Sequence, residues 1–265
     1  MRRSTRRSRN SCRHGIAAAP NNSDPQLYLA DELSAEGRLR EALEFYTRGQ
    51  ALVPTLAPWK ANLALAQAET GHVAEGVALI NRAASIEPSN LVLWQARFYI
   101  LANFGHVDEA RAMLDDTQNI PANLESGSIA RRAYLDALKN GTPSAKAAAL
   151  KTIRSAMAAE DINANEGLQM IARLGDLDGA FALAATLLQP NDPRQGLTIT
   201  RKILFRSPAA GMRRDARFMP LAAKVGLVAS WEKTGKWPDF CSQPDLPYDC
   251  RVAAKAASGA SKQVP

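Results

Sequence analysis

ANLALAQAETGHVAEGVALINRAASIEP, residues 61–88, is the stretch on which the reading of this chain turns. Its punctuation recurs 34 residues earlier in LYLADELSAEGRLREALEFYTRGQALVP (27–54) and 34 residues later in QARFYILANFGHVDEARAMLDDTQNIP (95–121). Gly37, Gly71 and Gly105 keep one phase, Ala42, Gly76 and Ala110 a second, and Pro54 and Pro88 a third, with Pro121 one residue short of the next step. Three coincident phases at one period mark helix-turn-helix repeats of fixed length. In the second repeat Trp59, Leu63, Ala66 and Thr70 share one face at helical spacing. Gly71 follows, where a left-handed backbone is cheap for a residue without Cβ. Val77, Ile80, Ala83 and Ala84 then form the stripe of a second helix, and Pro88 removes a backbone donor and ends it. Small residues at Ala30, Ala42, Ala64, Gly76 and Ala110 let paired helices approach closely. One such hairpin cannot bury its apolar face alone, but stacked hairpins can.

This pattern resembles the tetratricopeptide repeat family. In that register the repeats are 23–56, 57–90 and 91–124. The match rests on Leu29, Ala30, Leu33, Gly37, Ala42, Tyr46 and Pro54 in the first repeat. Leu63, Ala64, Gly71, Gly76, Ile80, Ala83 and Pro88 carry it in the second, and Trp94, Leu101, Gly105, Ala110 and Leu114 in the third. The third departs from the pattern, with bulky Phe98 at a usually small site and an early proline. Two weaker repeats follow, Ile129–Met157 around Gly141 and Asn165–Leu188 around Gly175. The resemblance implies an all-α fold, a right-handed superhelical solenoid of these repeats with a helical C-terminal cap. The expected organisation is an arm over 1–22, three repeats over 23–124, and degenerate helical repeats over 125–192. A cap with a two-cysteine loop over 193–252 and a disordered tail over 253–265 complete it.

The resemblance also implies a function, protein–protein interaction through a concave groove lined by the first helices. The groove positions in this chain are Tyr28, Asp31, Asn62, Glu69, Gln95, Tyr99 and Asn103. Some members of the family clasp a peptide's C-terminal carboxylate with Lys, Arg and Asn residues there. Asn62 matches that Asn, but Leu27, Asp31, Val92 and Ala96 stand where the basic partners would be, so no carboxylate clamp is expected. Tyr99 and Trp94 also suit a core. The protein or peptide partner has no further signature in the sequence.

The formal net charge is +7. Arg2, Arg3, Arg6, Arg7, Arg9 and Arg13 precede the first acid, Asp24, so residues 15–265 sum to about +1. The arm has nothing to bury and cannot offset its ordering entropy. It reads as a solvated tail, as an arginine-rich contact to nucleic acid or anionic lipid, or as a transit peptide. Nucleic acid is not expected outside residues 1–14. Cys12 and His14 on that arm make a poor metal site. No apolar run of 18 residues suggests a membrane span.

The ending GLVASWEKTGKWPDFCSQPDLPYDC, residues 226–250, is the most distinctive local sequence. With the preceding RFMPLAAKV it resembles the C-terminal end of bacterial tetratricopeptide proteins that carry a winged-helix DNA-binding or nucleotide cyclase domain at the N-terminus. That likeness implies a sensor or scaffold role. Phe218, Leu221, Val225, Leu227 and Trp231 are the expected apolar side of the cap. Cys241 and Cys250 lie nine apart, with Pro244 and Pro247 between them. They read either as a disulfide, which needs an oxidising compartment, or as two reduced thiols. The chain is expected in the cytoplasm as written, or in the periplasm if the bond forms and the native N-terminus differs.

No nucleophile elbow, zincin motif, Walker A loop or dinucleotide fingerprint occurs. Asp115–Asp116 and Glu160–Asp161 are paired carboxylates at helix ends, where acids are commonly solvated. His72 and His106 are equivalent positions one repeat apart, too far to share a zinc. No enzyme activity, metal or cofactor is expected. The leading expectation is a scaffold or adaptor in bacterial signalling or complex assembly. The alternatives are the sensor half of a winged-helix regulator and a nucleic-acid-associated protein acting through its arm.

Overall fold

The computed structural model describes residues 17–188 and 197–260. Residues 1–16 of the arm, the expected break at 189–196 and the tail from 261 lie outside the described residues. Among the described residues the regular structure is helical, with short 3-10 turns and no strand. The fold is all-α, as the glycine spacing predicts. The chain divides into two compact units, 1–34 with 39–125, and 35–38 with 126–265.

The first unit holds α1 (Asp24–Ala35), α2 (Leu39–Leu52), α3 (Ala57–Glu69), α4 (Val73–Ile86), α5 (Leu91–Asn103) and α6 (Val107–Asp115). Helix α3 packs on α2, α4 and α5, and α5 packs on α4 and α6. Two cores explain the order. Trp59, Leu63 and Ala66 of α3 join Leu29, Ala30, Leu33, Ala42 and Tyr46. Ala61, Ala64 and Ala68, from the rest of the same helix, join Ile80, Ala83, Leu93, Ala96, Tyr99 and Ile100. Helix α3 is therefore covered on two sides and is apolar nearly all round, whereas α4 shows a single buried stripe of Gly76, Ile80, Ala83 and Ala84. Each fully buried Leu or Ile contributes about 1.5–3 kcal/mol, so shared cores rather than helix propensity hold the hairpins.

The turn at Gly71 shows why the beat is kept. Gly71 has φ +96°. The His72 N–H donates to Gln67 O at 2.8 Å and the Gly71 N–H to Ala68 O at 3.3 Å, closing the orphan carbonyls of α3. His106 to Leu101 O and Asp176 to Ile171 O repeat the first of these bonds. In each case the residue after the glycine is already the N-cap of the next helix. The third repeat departs from the others as its sequence foretells. Helix α6 has 9 residues against 14 in α4. It stops at Asp115 because consecutive carboxylates oppose the negative end of the helix dipole. Two 3-10 turns, Thr117–Asn119 and Ala122–Leu124, then flank Pro121.

In the second unit α7 (Ser128–Asn140), α8 (Pro143–Ala158), α9 (Ala164–Arg173) and α10 (Leu177–Leu187) form two further hairpins, each helix packed on the next. Short helices follow: α11 (Leu197–Leu204), α12 (Ala210–Arg213), α13 (Phe218–Lys224) and α14 (Leu227–Thr234). Helix α12 packs on α9 and α10. Phe218, Leu221, Val225, Leu227 and Trp231 are all buried, as the cap reading requires.

One expectation is corrected. The stretch from 253 is not a disordered tail up to residue 260, because Cys250–Ala260 forms helix α15. Asp249 Oδ1 accepts the Arg251 and Val252 N–H groups at 2.8 and 2.9 Å and so caps it. Ala254 and Ala257 are buried, and α15 packs on α13. Its alanines are strong helix formers that need little volume to pack.

Candidate functional site

The seven groove positions all lie on α1, α3 and α5, the first helices of the three repeats. Tyr28 is 45% exposed and Gln95 is exposed, while Asp31, Asn62 and Glu69 are partly covered. Tyr99 and Asn103 are each only 9% exposed. Tyr99 belongs to the second core, and its ring meets Phe104 edge-on at 6.4 Å. Its hydroxyl donates to Glu69 Oε1 across the α3–α5 contact. Asn103 donates from Nδ2 to Tyr99 O at 2.9 Å, one turn back on α5. Asp31 accepts the Tyr46 hydroxyl at 2.7 Å. The structure thus brings Glu69, Tyr99 and Asn103 together as a tie between adjacent first helices. Tyr28, Asn62 and Gln95 are left as the positions with side chains reaching the surface.

The other sequence-marked residues fall where helix ends put them. His72 Nδ1 lies 3.3 Å from Thr70 Oγ1, and His106 Nδ1 lies 2.6 Å from Glu109 Oε1. Each histidine has its own local partner, and they do not share a site. Asp115, Asp116 and Glu160 are exposed around the ends of α6 and α8. No group of three His, Cys, Asp or Glu side chains among the described residues is arranged to hold a metal ion. No helix among them is long and apolar enough to cross a membrane.

Cys241 and Cys250 are bonded to each other, with Cα atoms 5.8 Å apart. The bond joins the 3-10 turn Asp239–Ser242 to the first residue of α15. Beside it lies an aromatic cluster in which Phe205 and Phe240 join Phe218 and Trp231, two members of the expected apolar side. Phe205 meets Phe218 and Trp231 edge-on at 6.2 Å, and Phe218 meets Phe240 at 5.4 Å. Onto this cluster the second unit draws the turn Ala35–Arg38. The Trp231 indole N–H donates to Glu36 O at 3.0 Å, the Ser230 hydroxyl to Glu36 Oε1 at 2.6 Å, and the Asp239 N–H to Gly37 O at 2.9 Å. Glu36 and Arg38 are both buried, and their side chains approach to 3.4 Å.

Arg131 is a further buried charge without a sequence signature. Arg131, 1% exposed, forks onto Glu166, with Nε to Oε1 at 2.7 Å and Nη2 to Oε2 at 2.9 Å. The pair sits 35 residues apart on α7 and α9, one off the 34-residue beat. Arg217 bonds both Asp215 and Asp178 and lies 4.5 Å over the Phe181 ring. Its hydrogen bonds hold the Asp215 carboxyl below its ordinary range. Burial lifts the Tyr248 phenol to about 12, and its hydroxyl donates to Arg213 O. These are ties between elements of the second unit.

No family model matches the chain, and no curated protein matches it in sequence.

Proposed function

We propose that this chain is a tetratricopeptide-type scaffold. Its repeats stack as a right-handed solenoid whose first helices offer a concave face to a peptide or helix of a partner protein. The observation that carries this reading is the pair of shared cores, which sandwich α3 between neighbouring hairpins and leave Tyr28, Asn62 and Gln95 on successive first helices. The role is assembly, in bacterial signalling or in a multiprotein complex. Residues 23–125 hold 14 acidic and 7 basic side chains. Such a surface favours a cationic segment and gives binding that weakens as salt rises.

The test places a photo-crosslinking side chain at Tyr28 or Gln95, and in parallel at Glu44 or Arg82, which are exposed on the second helices. Labelling of one partner from α1 and α5 and not from α2 and α4 supports the proposal. Equal labelling from both sets, or labelling from α2 and α4 alone, overturns it.

A second reading, the sensor half of a winged-helix regulator, is favoured by the Cys241–Cys250 bond, since such bonds persist in oxidising compartments. Differential alkylation and mass spectrometry on protein from its native cells distinguish the two. Bonded cysteines favour the sensor reading, and free thiols favour a cytosolic scaffold.

A further inference from the structure

The disulfide and the docked turn occupy one short segment. Reading along it, Trp231 donates to Glu36 O, Asp239 donates to Gly37 O, Phe240 lies buried in the aromatic cluster, and Cys241 follows at once. Pro238 and Phe205 stand so close to Gly37 that a Cβ there would meet the ring at 2.5 Å and the proline at 2.7 Å. The turn is therefore seated tightly, and its seat is the very segment that Cys241 anchors to α15. Besides the bond, Phe240 packs on Phe218, and Arg251 lies over the Trp237 ring. Arg214 bonds Asp245 at the surface, and Tyr248 reaches Arg213 O, but the loop 242–247 between the cysteines is largely exposed.

We propose that the Cys241–Cys250 bond is a redox-controlled clasp on the turn Ala35–Arg38. In the oxidised chain Asp239 and Trp231 hold the two carbonyls of Glu36 and Gly37. When the bond is reduced, the 3-10 turn Asp239–Ser242 is freed from α15, and the hold on Gly37 loosens with it. The reductant is a dithiol. Its thiolate attacks Cys241 Sγ, the more exposed sulfur's residue, because Cys250 is only 5% exposed. A mixed disulfide forms and Cys250 leaves as thiolate. The reductant's second thiolate then displaces Cys241, so the reductant ends as a disulfide and the chain as two thiols, with two electrons and two protons transferred. A disulfide oxidant reverses the exchange. The constraint lost is that of a nine-residue crossing, which is short enough to act locally.

The experiment is hydrogen exchange on the full chain, oxidised and after treatment with dithiothreitol, reading the Asp239 amide and the Trp231 indole N–H. Both should exchange about tenfold faster or more in the reduced chain, the amides of α4 and α5 should be unchanged, and reoxidation should restore the original rates. Faster exchange confined to residues 241–250, with Asp239 and Trp231 unmoved, overturns the proposal, and so does no change anywhere. Acceleration throughout the chain also overturns it, since the bond would then be a global staple. Trp231→Phe supplies a second arm with the disulfide intact. It removes one donor to the turn and should speed Asp239 exchange while leaving the Cys241–Cys250 loop protected; unmoved Asp239 exchange in that variant counts against a shared seat.

Discussion

Glu160 is the one described residue other than glycine with positive φ, at +60°. It ends α8 in the position that glycine fills elsewhere, and the Asp161 N–H closes onto Ala156 O at 2.9 Å in the same six-to-one manner. A side chain pays roughly 1–2 kcal/mol for that conformation. Glu160→Gly is therefore expected to raise stability by about 1 kcal/mol, and Glu160→Ala to give no such gain. Urea denaturation of the two variants reads the difference, and a Glu160→Gly chain weaker than the parent would show that the carboxylate holds something else. The tyrosines make a statement about pH. Burial raises Tyr248 to about 12 and raises Tyr134 as well. The unfolded phenol ionises near 10, so the stability tied to the neutral form is whole below that pH. It is lost as pH climbs through about 12. Melting curves taken across this window should fall less steeply for Tyr248→Phe than for the parent. At this scale the sequence was legible where backbone geometry allows few residues, as at the turn glycines. It was ambiguous where a side chain serves equally in a core or a groove. Tyr99 is the example, because its helix is covered on two sides and periodicity alone cannot separate those faces.

Helices carry the repeat, and their spacing is set by what lies at the crossings. A Cβ on Gly76 would lie 2.7 Å from Ala64 O and 3.2 Å from Ala68 N, backbone atoms of α3 that cannot swing away. Gly76→Ala is expected to cost about 1–3 kcal/mol through forced separation of α3 and α4, although alanine favours the helix itself by about 1 kcal/mol. A thermal melt that rises in this variant would mean the two helices can part freely. The repeat elements were readable because three independent marks fell on one period. Helix α15 was not, since its alanines give no large apolar stripe and its cap, Asp249, lies inside the cysteine loop. The Arg131–Glu166 fork was hidden for a related reason. It joins two degenerate repeats, and a pair of opposite charges 35 residues apart has no signature in a single sequence. Replacing Glu166 by Gln removes the carboxylate onto which the buried Arg131 forks, and a loss of about 3 kcal/mol is expected, measurable by urea denaturation.

For the whole molecule, near neutrality beyond the arm is a sum of opposites. Residues 126–265 hold 12 acidic and 20 basic side chains, the reverse of the balance over 23–125. Net charge read over the full length conceals this, whereas the division into compact units exposes it. That division also assigns the turn 35–38 to the second unit, which no local pattern announces, because its partners lie nearly 200 residues away. A chain ending at Glu125 keeps Glu36 and Gly37 but lacks Phe205, Ser230, Trp231 and Asp239. Its amides over residues 35–45 are expected to exchange about tenfold faster or more than in the full chain, with α4 and α5 still protected. Equal protection in both chains would show that the first hairpin completes its own turn.

The bond from Trp231 to Glu36 spans 195 residues. A ribosome adding about 5–20 residues per second needs roughly 10–40 s to travel that distance. For all of that time the turn Ala35–Arg38 has its glycine in place and lacks the indole donor to Glu36 O. This early-made turn is thus completed late, and a nascent chain stalled before Trp231 carries helices α1 to α6 with the turn between the first two still undone.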